Sequence, residues 1–373
     1  MLPFTRPTIA AEEHAAIREV LESGWLASGP KVKAFEQALQ DYVGGDVQVR
    51  VLNSATSALE AALLGCDIGP GDEVIVPAMS FTATANVVVR VGARPVFVDV
   101  DLHSRNLDVQ GVEAALSPRT RAVMPVHFAG LAAELAPLYD LAVRHRLVVI
   151  EDAAQAIGTS YGGRRVGASG NPVCFSFHPN KNMTTVEGGC IASGDERFVR
   201  RIERLRFHGI ERDAEGNMDV TEWGGKWNMP DVGAALGLAQ LAKLYDFNRT
   251  RRVLARRYLE KLPRHPALVL PIDGGGHSWH MFCVCVDYHA LGTTRGAFQK
   301  ALAERGVGTG IHYPAIHLFS LYRHYGYGPG DFPVAERIGK QTLTLPLFPA
   351  MTPADVDRVC EAIGERLAAG AVR

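Results

Sequence analysis

The feature that most constrains this chain is an alternation that runs through its first half. Short β-branched runs at residues 47–52, 73–77, 95–98, 122–126, 147–151 and 173–177 alternate with helix-like stretches at 54–66, 82–91, 112–116 and 131–144. Runs that are apolar along their whole length suit strands buried on both faces. Their alternation with helices argues that the strands are parallel. A sheet of that kind binds ligands beyond the carboxyl ends of its strands. The sequence therefore predicts an α/β fold built on a large, mostly parallel sheet.

After residue 197 the pattern changes. Residues 197–262 read as mainly helical, broken by a polar, glycine-containing loop at 209–226. A smaller α+β unit follows, with strand-like runs at 268–271, 281–286 and 308–312 and a helix at 294–305. The last helix has a clear start: Thr352 as cap, Pro353 at the first position and Asp355 near the positive end. The expected division is residues 1–249 for an N-terminal segment and the large domain, and 250–373 for the small one. A chain of 373 residues suits two domains.

Composition removes several classes of partner. The formal net charge of −1 offers no global attraction to nucleic acid or an anionic membrane. The arginines at 249, 251, 252, 256 and 257 recur at helical spacing and read as a solvated helix face. No segment reaches the ~20 apolar residues of a membrane span. The opening residues lack a basic end followed by an apolar run, so a cytoplasmic location is expected. Six scattered cysteines with no CxxC pair read as buried free thiols, and no metal site is expected.

Four local features fall at strand ends or helix starts. Residues 53–57 (Asn-Ser-Ala-Thr-Ser) open a helix, where free N–H groups and the helix dipole make a phosphate seat; an ordinary helix cap is the alternative. Asp152 ends a strand and projects a carboxylate that needs a cation or proton donor once buried. A protonated pyridine nitrogen is such a partner; a cap or a structural ion pair is the alternative. Lys181 follows the strand at 173–177 and precedes a Glu-Gly-Gly turn. Partial desolvation there lowers an ammonium pKa and suits imine formation, whereas a surface loop lysine does nothing of the kind. Phe81, after the strand at 73–77, stacks on a flat ring or packs in the core. Taken together, the four describe one ligand: a flat cationic ring with an aldehyde on one side and a phosphate on the other.

With those residues in view, the sequence resembles the DegT/StrS-type sugar aminotransferases, which are fold type I PLP-dependent transferases. The resemblance covers nearly the whole chain. It rests on residues 23–30, 151–155, 176–181, 187–189 and 345–349. It implies pyridoxal 5'-phosphate as cofactor, with Lys181 as the Schiff-base lysine and Asp152 on the ring nitrogen. Gln155 would meet the ring's hydroxyl side and Phe81 its face. Ala55, Thr56 and Ser176 would hold the phosphate, completed by Asn228 from a second subunit of a homodimer. Lys226 sits where many relatives carry asparagine. Trp25 and His317 would line the substrate side, and His178 is expected to be structural.

Glutamate as donor and a nucleotide-linked keto-sugar as acceptor follow from the same resemblance. Residues 224–228, 277–282 and 306–312 are most similar to the branch that aminates a UDP-linked 4-keto-pentose. Gln155 and Phe81 depart from that branch, where histidine and tryptophan are expected. Sugars of lipid A, surface polysaccharides and antibiotics are all compatible. Three other readings fit less well. A sugar dehydratase of this type has histidine in place of Lys181, a cofactor-sensing module carries a DNA-binding appendage, and a nicotinamide dehydrogenase needs a GxGxxG after its first strand.

Overall fold

Residues 148–152 organise the sheet. In the computed structural model, which describes residues 1–370, this segment feeds two ladders at once. Ile150 and Asp152 donate their N–H groups to Val123 and Pro125 on one side, while Glu151 and Ala153 donate to Pro172 and Cys174 on the other. Two four-stranded ladders thereby join into one seven-stranded sheet. Across it lie Gln48–Leu52, Gly189–Ser193, Val173–Ser176, residues 148–152, Thr120–Val123, Glu73–Pro77 and Arg94–Val98. Only Gly189–Ser193 runs against its neighbours.

The fold class is as the sequence predicts, with some differences in detail. The strand Gly189–Ser193 lies where the glycines of residues 188–189 suggest only a turn. Gly189 is needed there because a Cβ would meet the Ala55 nitrogen at 2.5 Å. The helices Ala55–Gly65 and Ala83–Arg90 follow their strands as expected. Ala58, Ala61 and Ala62 are fully buried, so the first of these lies close on the sheet. The helix expected at 112–116 begins earlier, as Val109–Ala114, because Asp108 caps it.

The small unit is a three-stranded antiparallel sheet, Leu268–Val269, Phe282–Val286 and Thr342–Leu345, packed on the helices Arg295–Glu304 and Pro353–Gly370. Residues 308–312 are not a strand. Gly310 alone bridges to Thr344, and the edge is taken by Thr342–Leu345, which is buried throughout. Thr352 caps the last helix as expected, its Oγ1 accepting from the Asp355 N–H at 3.2 Å.

The helix Asp231–Lys261 runs unbroken through residue 250, so the expected boundary falls inside a helix. The N-terminal helix Ala11–Ser23 docks on it through Glu13, which accepts from Gln240 at 2.7 Å and pairs with Lys243. The arginines of this helix do not form a uniformly solvated face. Arg251 is buried, and its Nη1 donates to the carbonyls of His280 and Leu347 at 3.1 and 2.9 Å. Burial without a carboxylate partner lowers its pKa to about 10.

Candidate active site

A cavity of about 420 Å³ opens at the carboxyl ends of the parallel strands. Ala55, Thr56, Phe81, Asp152, Gln155, Ser176 and Lys181 all line it. The sequence separates these residues by up to 126 positions, and the strand order brings them together.

Ser54 caps the helix Ala55–Gly65 by accepting from the Ser57 N–H at 3.0 Å. The N–H groups of Ala55 and Thr56 find no protein acceptor among the described residues, as the first turn of a helix requires. They border the cavity next to Ser176. An anion placed there meets unpaired donors and the positive end of the helix.

Asp152 is buried in the cavity wall. Its Oδ2 accepts from Thr84 Oγ1 at 2.7 Å and its Oδ1 from the Ala154 N–H at 3.1 Å. Desolvation raises its pKa. Those two donors and the charge of Lys181 oppose the shift without cancelling it. A carboxyl in that state is suited to a cationic partner inside the cavity. Gln155 is turned by a distant turn of the chain: the Ala129 N–H donates to Oε1 at 2.8 Å. Its amide nitrogen has no protein partner among the described residues.

The loop after Ser176 folds back on itself. The Thr184 hydroxyl donates to the Phe177 carbonyl at 3.0 Å and accepts from the Val186 N–H at 2.9 Å. Val186 sits at φ 69°, a conformation that costs a β-branched residue and needs this clamp. Next to the lysine, Asn182 Nδ2 donates to Asn248 at 2.7 Å and to the Ser278 carbonyl at 2.9 Å. Lys181 is thereby held in the cavity, and its Nζ has no hydrogen-bond partner among the described residues. Burial lowers its pKa to about 8, against the opposing pull of Asp152. Phe81 is 53% exposed at the rim, with its ring 5.8 Å from that of Tyr313.

Three expected residues lie elsewhere. Trp25 is 58% exposed and borders no part of the cavity. Asn228 donates to Ser28 Oγ at 2.7 Å, and Trp25 Nε1 donates to the Ser28 carbonyl at 3.4 Å, so these two gather at residue 28 instead. His317 has no exposed surface; it lies against Phe332 and Glu336, closed off from the cavity. Lys226 holds its ammonium 4.3 Å from the ring of Phe207.

Other lining residues were not assigned from the sequence. His178, expected to be structural, lies in the cavity wall with Asn180 and Glu187. His312 and Tyr313 enter from the small unit. His312 Nδ1 pairs with Thr344 Oγ1 at 2.7 Å, and burial with the nearby Lys181 and Arg105 charges lowers its pKa to about 4. The His-Tyr pair carries no local signal of a site; it is recognisable only once the small sheet is seen to face the cleft.

The DegT/DnrJ/EryC1/StrS aminotransferase family model matches residues 7–364. The chain belongs to that family. DesV of S. venezuelae, solved in complex with a ketimine intermediate, is 36% identical with a TM-score of 0.90, covering 96% of this chain and 94% of its own. The aminotransferase TlmJ of Streptoalloteichus hindustanus is 34% identical with a TM-score of 0.91, covering 99% of each chain. A Streptococcus pneumoniae protein described as a sugar aminotransferase, in its PLP form, is 29% identical with a TM-score of 0.92 and 99% coverage of each chain. It was also solved in a PMP form. As a DegT/DnrJ/EryC1/StrS family member, the chain is a PLP-dependent aminotransferase with the fold type I architecture.

Proposed function

We propose that this enzyme moves an amino group from glutamate to a nucleotide-linked keto-sugar, in two half-reactions at one cleft. The observation that carries the reading is the juxtaposition of Lys181 and Asp152. A lysine with its pKa lowered to about 8 faces a buried, incompletely compensated carboxyl in the same cavity. Pyridoxal 5'-phosphate fits the groups around them. The N–H groups of Ala55 and Thr56, with Ser176, would hold the phosphate. Phe81 would cover the ring, and the free amide nitrogen of Gln155 would serve the ring hydroxyl.

When bound, the cofactor supplies an electron sink for the pair left as the donor's Cα proton departs. Asp152 would hold a proton on the ring nitrogen, which is what would make that sink effective. Lys181 would anchor the cofactor, and its Nζ in the neutral form would accept and return the donor's Cα proton. With the pKa near 8, about a tenth to a fifth of the amine is neutral at physiological pH, far more than for an ordinary lysine. The cavity rim at Phe81, His312 and Tyr313 is the side on which the sugar enters.

Asn228 and Trp25 act on the cleft of a second subunit in this reading. Both are held at Ser28, away from their own cavity. The acceptor we favour is a UDP-linked 4-keto-pentose, on the likeness of residues 224–228, 277–282 and 306–312 to that branch. A 3- or 4-keto-hexose is the competing acceptor, supported by Gln155 and Phe81. We place the enzyme in the cytoplasm; no helix among the described residues is long and apolar enough to cross a membrane. We also take residues 1–249 and 250–373 as its two domains.

The test is stepwise. Glutamate added to the purified holoenzyme should convert the bound cofactor to its amine form, read by absorbance. A panel of nucleotide-linked keto-sugars should then restore the starting spectrum, one of them fastest. Conversion by glutamate with no response to any keto-sugar would refute the acceptor. No conversion by glutamate would refute the donor.

A further inference from the structure

One buried hydrogen-bonded unit beside the cleft takes no part in the scheme above. Glu151 precedes Asp152 on the same strand, so its side chain leaves on the other face of the sheet. There it is fully buried. Its Oε2 meets His127 Nε2 at 2.9 Å, and its Oε1 accepts from Ser169 Oγ at 3.0 Å and from the Tyr139 hydroxyl.

His127, also fully buried, is fixed at three points. The Ala133 N–H donates to its Nδ1 at 3.0 Å, which leaves Nε2 as the protonated nitrogen donating to Glu151. Its backbone N–H donates to the carbonyl of Asp152 at 3.1 Å. The turn it begins, Phe128–Gly130, holds Ala129 at φ 54° and aims the Ala129 N–H at Gln155 Oε1.

We infer that the His127–Glu151 pair is a positioning device for the active site, which sets the Asp152 backbone and the Gln155 amide through a single turn. The inference rests on the proposed roles of those two residues. Stability alone does not call for this arrangement. Well-packed apolar groups of like volume often serve a core as well as, or better than, a buried charged network. A network is favoured where geometry must be unique, and here both of its outputs are groups assigned to the cofactor ring.

The test uses the holoenzyme with Glu151→Gln, His127→Asn and Tyr139→Phe. Glu151→Gln and His127→Asn should each weaken cofactor affinity and slow the glutamate half-reaction by about tenfold or more, the scale of outer-shell losses at tuned sites. Each should also shift the pH at which the bound cofactor's absorbance titrates, which a purely structural loss would not do. Tyr139→Phe removes one donor but spares the pair, and should stay within about twofold.

Affinity, rate and titration all within about twofold of wild type in folded Glu151→Gln protein would overturn the inference. So would a Tyr139→Phe loss as large as that of Glu151→Gln. If Glu151→Gln does not fold, His127→Asn decides; if neither folds, the pair is a folding element and the inference falls. A wild-type protein with no cofactor absorbance would instead sink the proposed function itself.

Discussion

Glu151 and Asp152 are neighbours in the chain and both are buried, yet the two faces of their strand treat a carboxylate in opposite ways. On the core face, Glu151 is surrounded by three side-chain donors from His127, Tyr139 and Ser169. On the cleft face, Asp152 has one side-chain donor, Thr84, and the backbone N–H of Ala154, and desolvation still raises its pKa. The difference shows how a fold separates a structural charge from a chemical one. The first is completed by the protein, while the second is left for a ligand to complete.

Lys181→Ala is the most severe way to break that contrast, because it removes the amine that faces Asp152. The holoenzyme chromophore should vanish and turnover should fall by about a thousandfold or more, since both anchoring and proton transfer are lost. Turnover like that of wild type would end the proposed mechanism.

Asp152→Asn keeps the shape and removes the charge. Turnover should drop by about a hundredfold or more, the scale for deleting a preorganised electrostatic group. Stability should move the other way. The folded apoprotein holds the Asp152 proton more tightly than the unfolded chain. Its ionised form therefore costs stability above the raised pKa, and that cost disappears as pH falls. Apo Asp152→Asn should melt about 1–3 °C above wild type at pH 7, with the gap closing toward pH 4. A lower melting point at pH 7 would show that Asp152 is as well satisfied as Glu151.

The smallest effect is in Lys181 itself. With its pKa near 8, about half the amine is neutral at pH 8, against under about 1% for an ordinary lysine. In the apoprotein, an amine-directed acylating reagent followed by peptide mapping should modify residue 181 with a midpoint near pH 8. A midpoint above about 10 would mean that burial does not tune this lysine.

Most of the cleft was legible because its parts sit at places a sequence marks. Asp152 ends an apolar run, Lys181 follows another before two glycines, and Ala55 and Thr56 sit in a helix start with hydroxyl neighbours. Those signals are local, and the parallel-sheet rule joins them. His312 and Tyr313 carry no such mark, since they reach the cleft only through the pairing of Gly310 with Thr344. Glu151 reads as half of a motif whose other half is the chemical group, and its partner His127 lies 24 residues away. The strand Gly189–Ser193 was hidden by its glycine start, and the burial of Arg251 by a charge pattern that otherwise describes a solvated face.

The helix Asp231–Lys261 has a mechanical consequence. A swinging lid needs a few residues whose backbone angles are free to change. Residue 250, where we propose to divide the chain, lies inside a 31-residue rod, and Arg251 rivets the later half of that rod to the carbonyls of His280 and Leu347. Rotating one unit against the other at that point would mean bending the rod, while the rivet carries its later half along with His280 and Leu347. Any closure of the cleft about this point bends a helix instead of swinging on a loop.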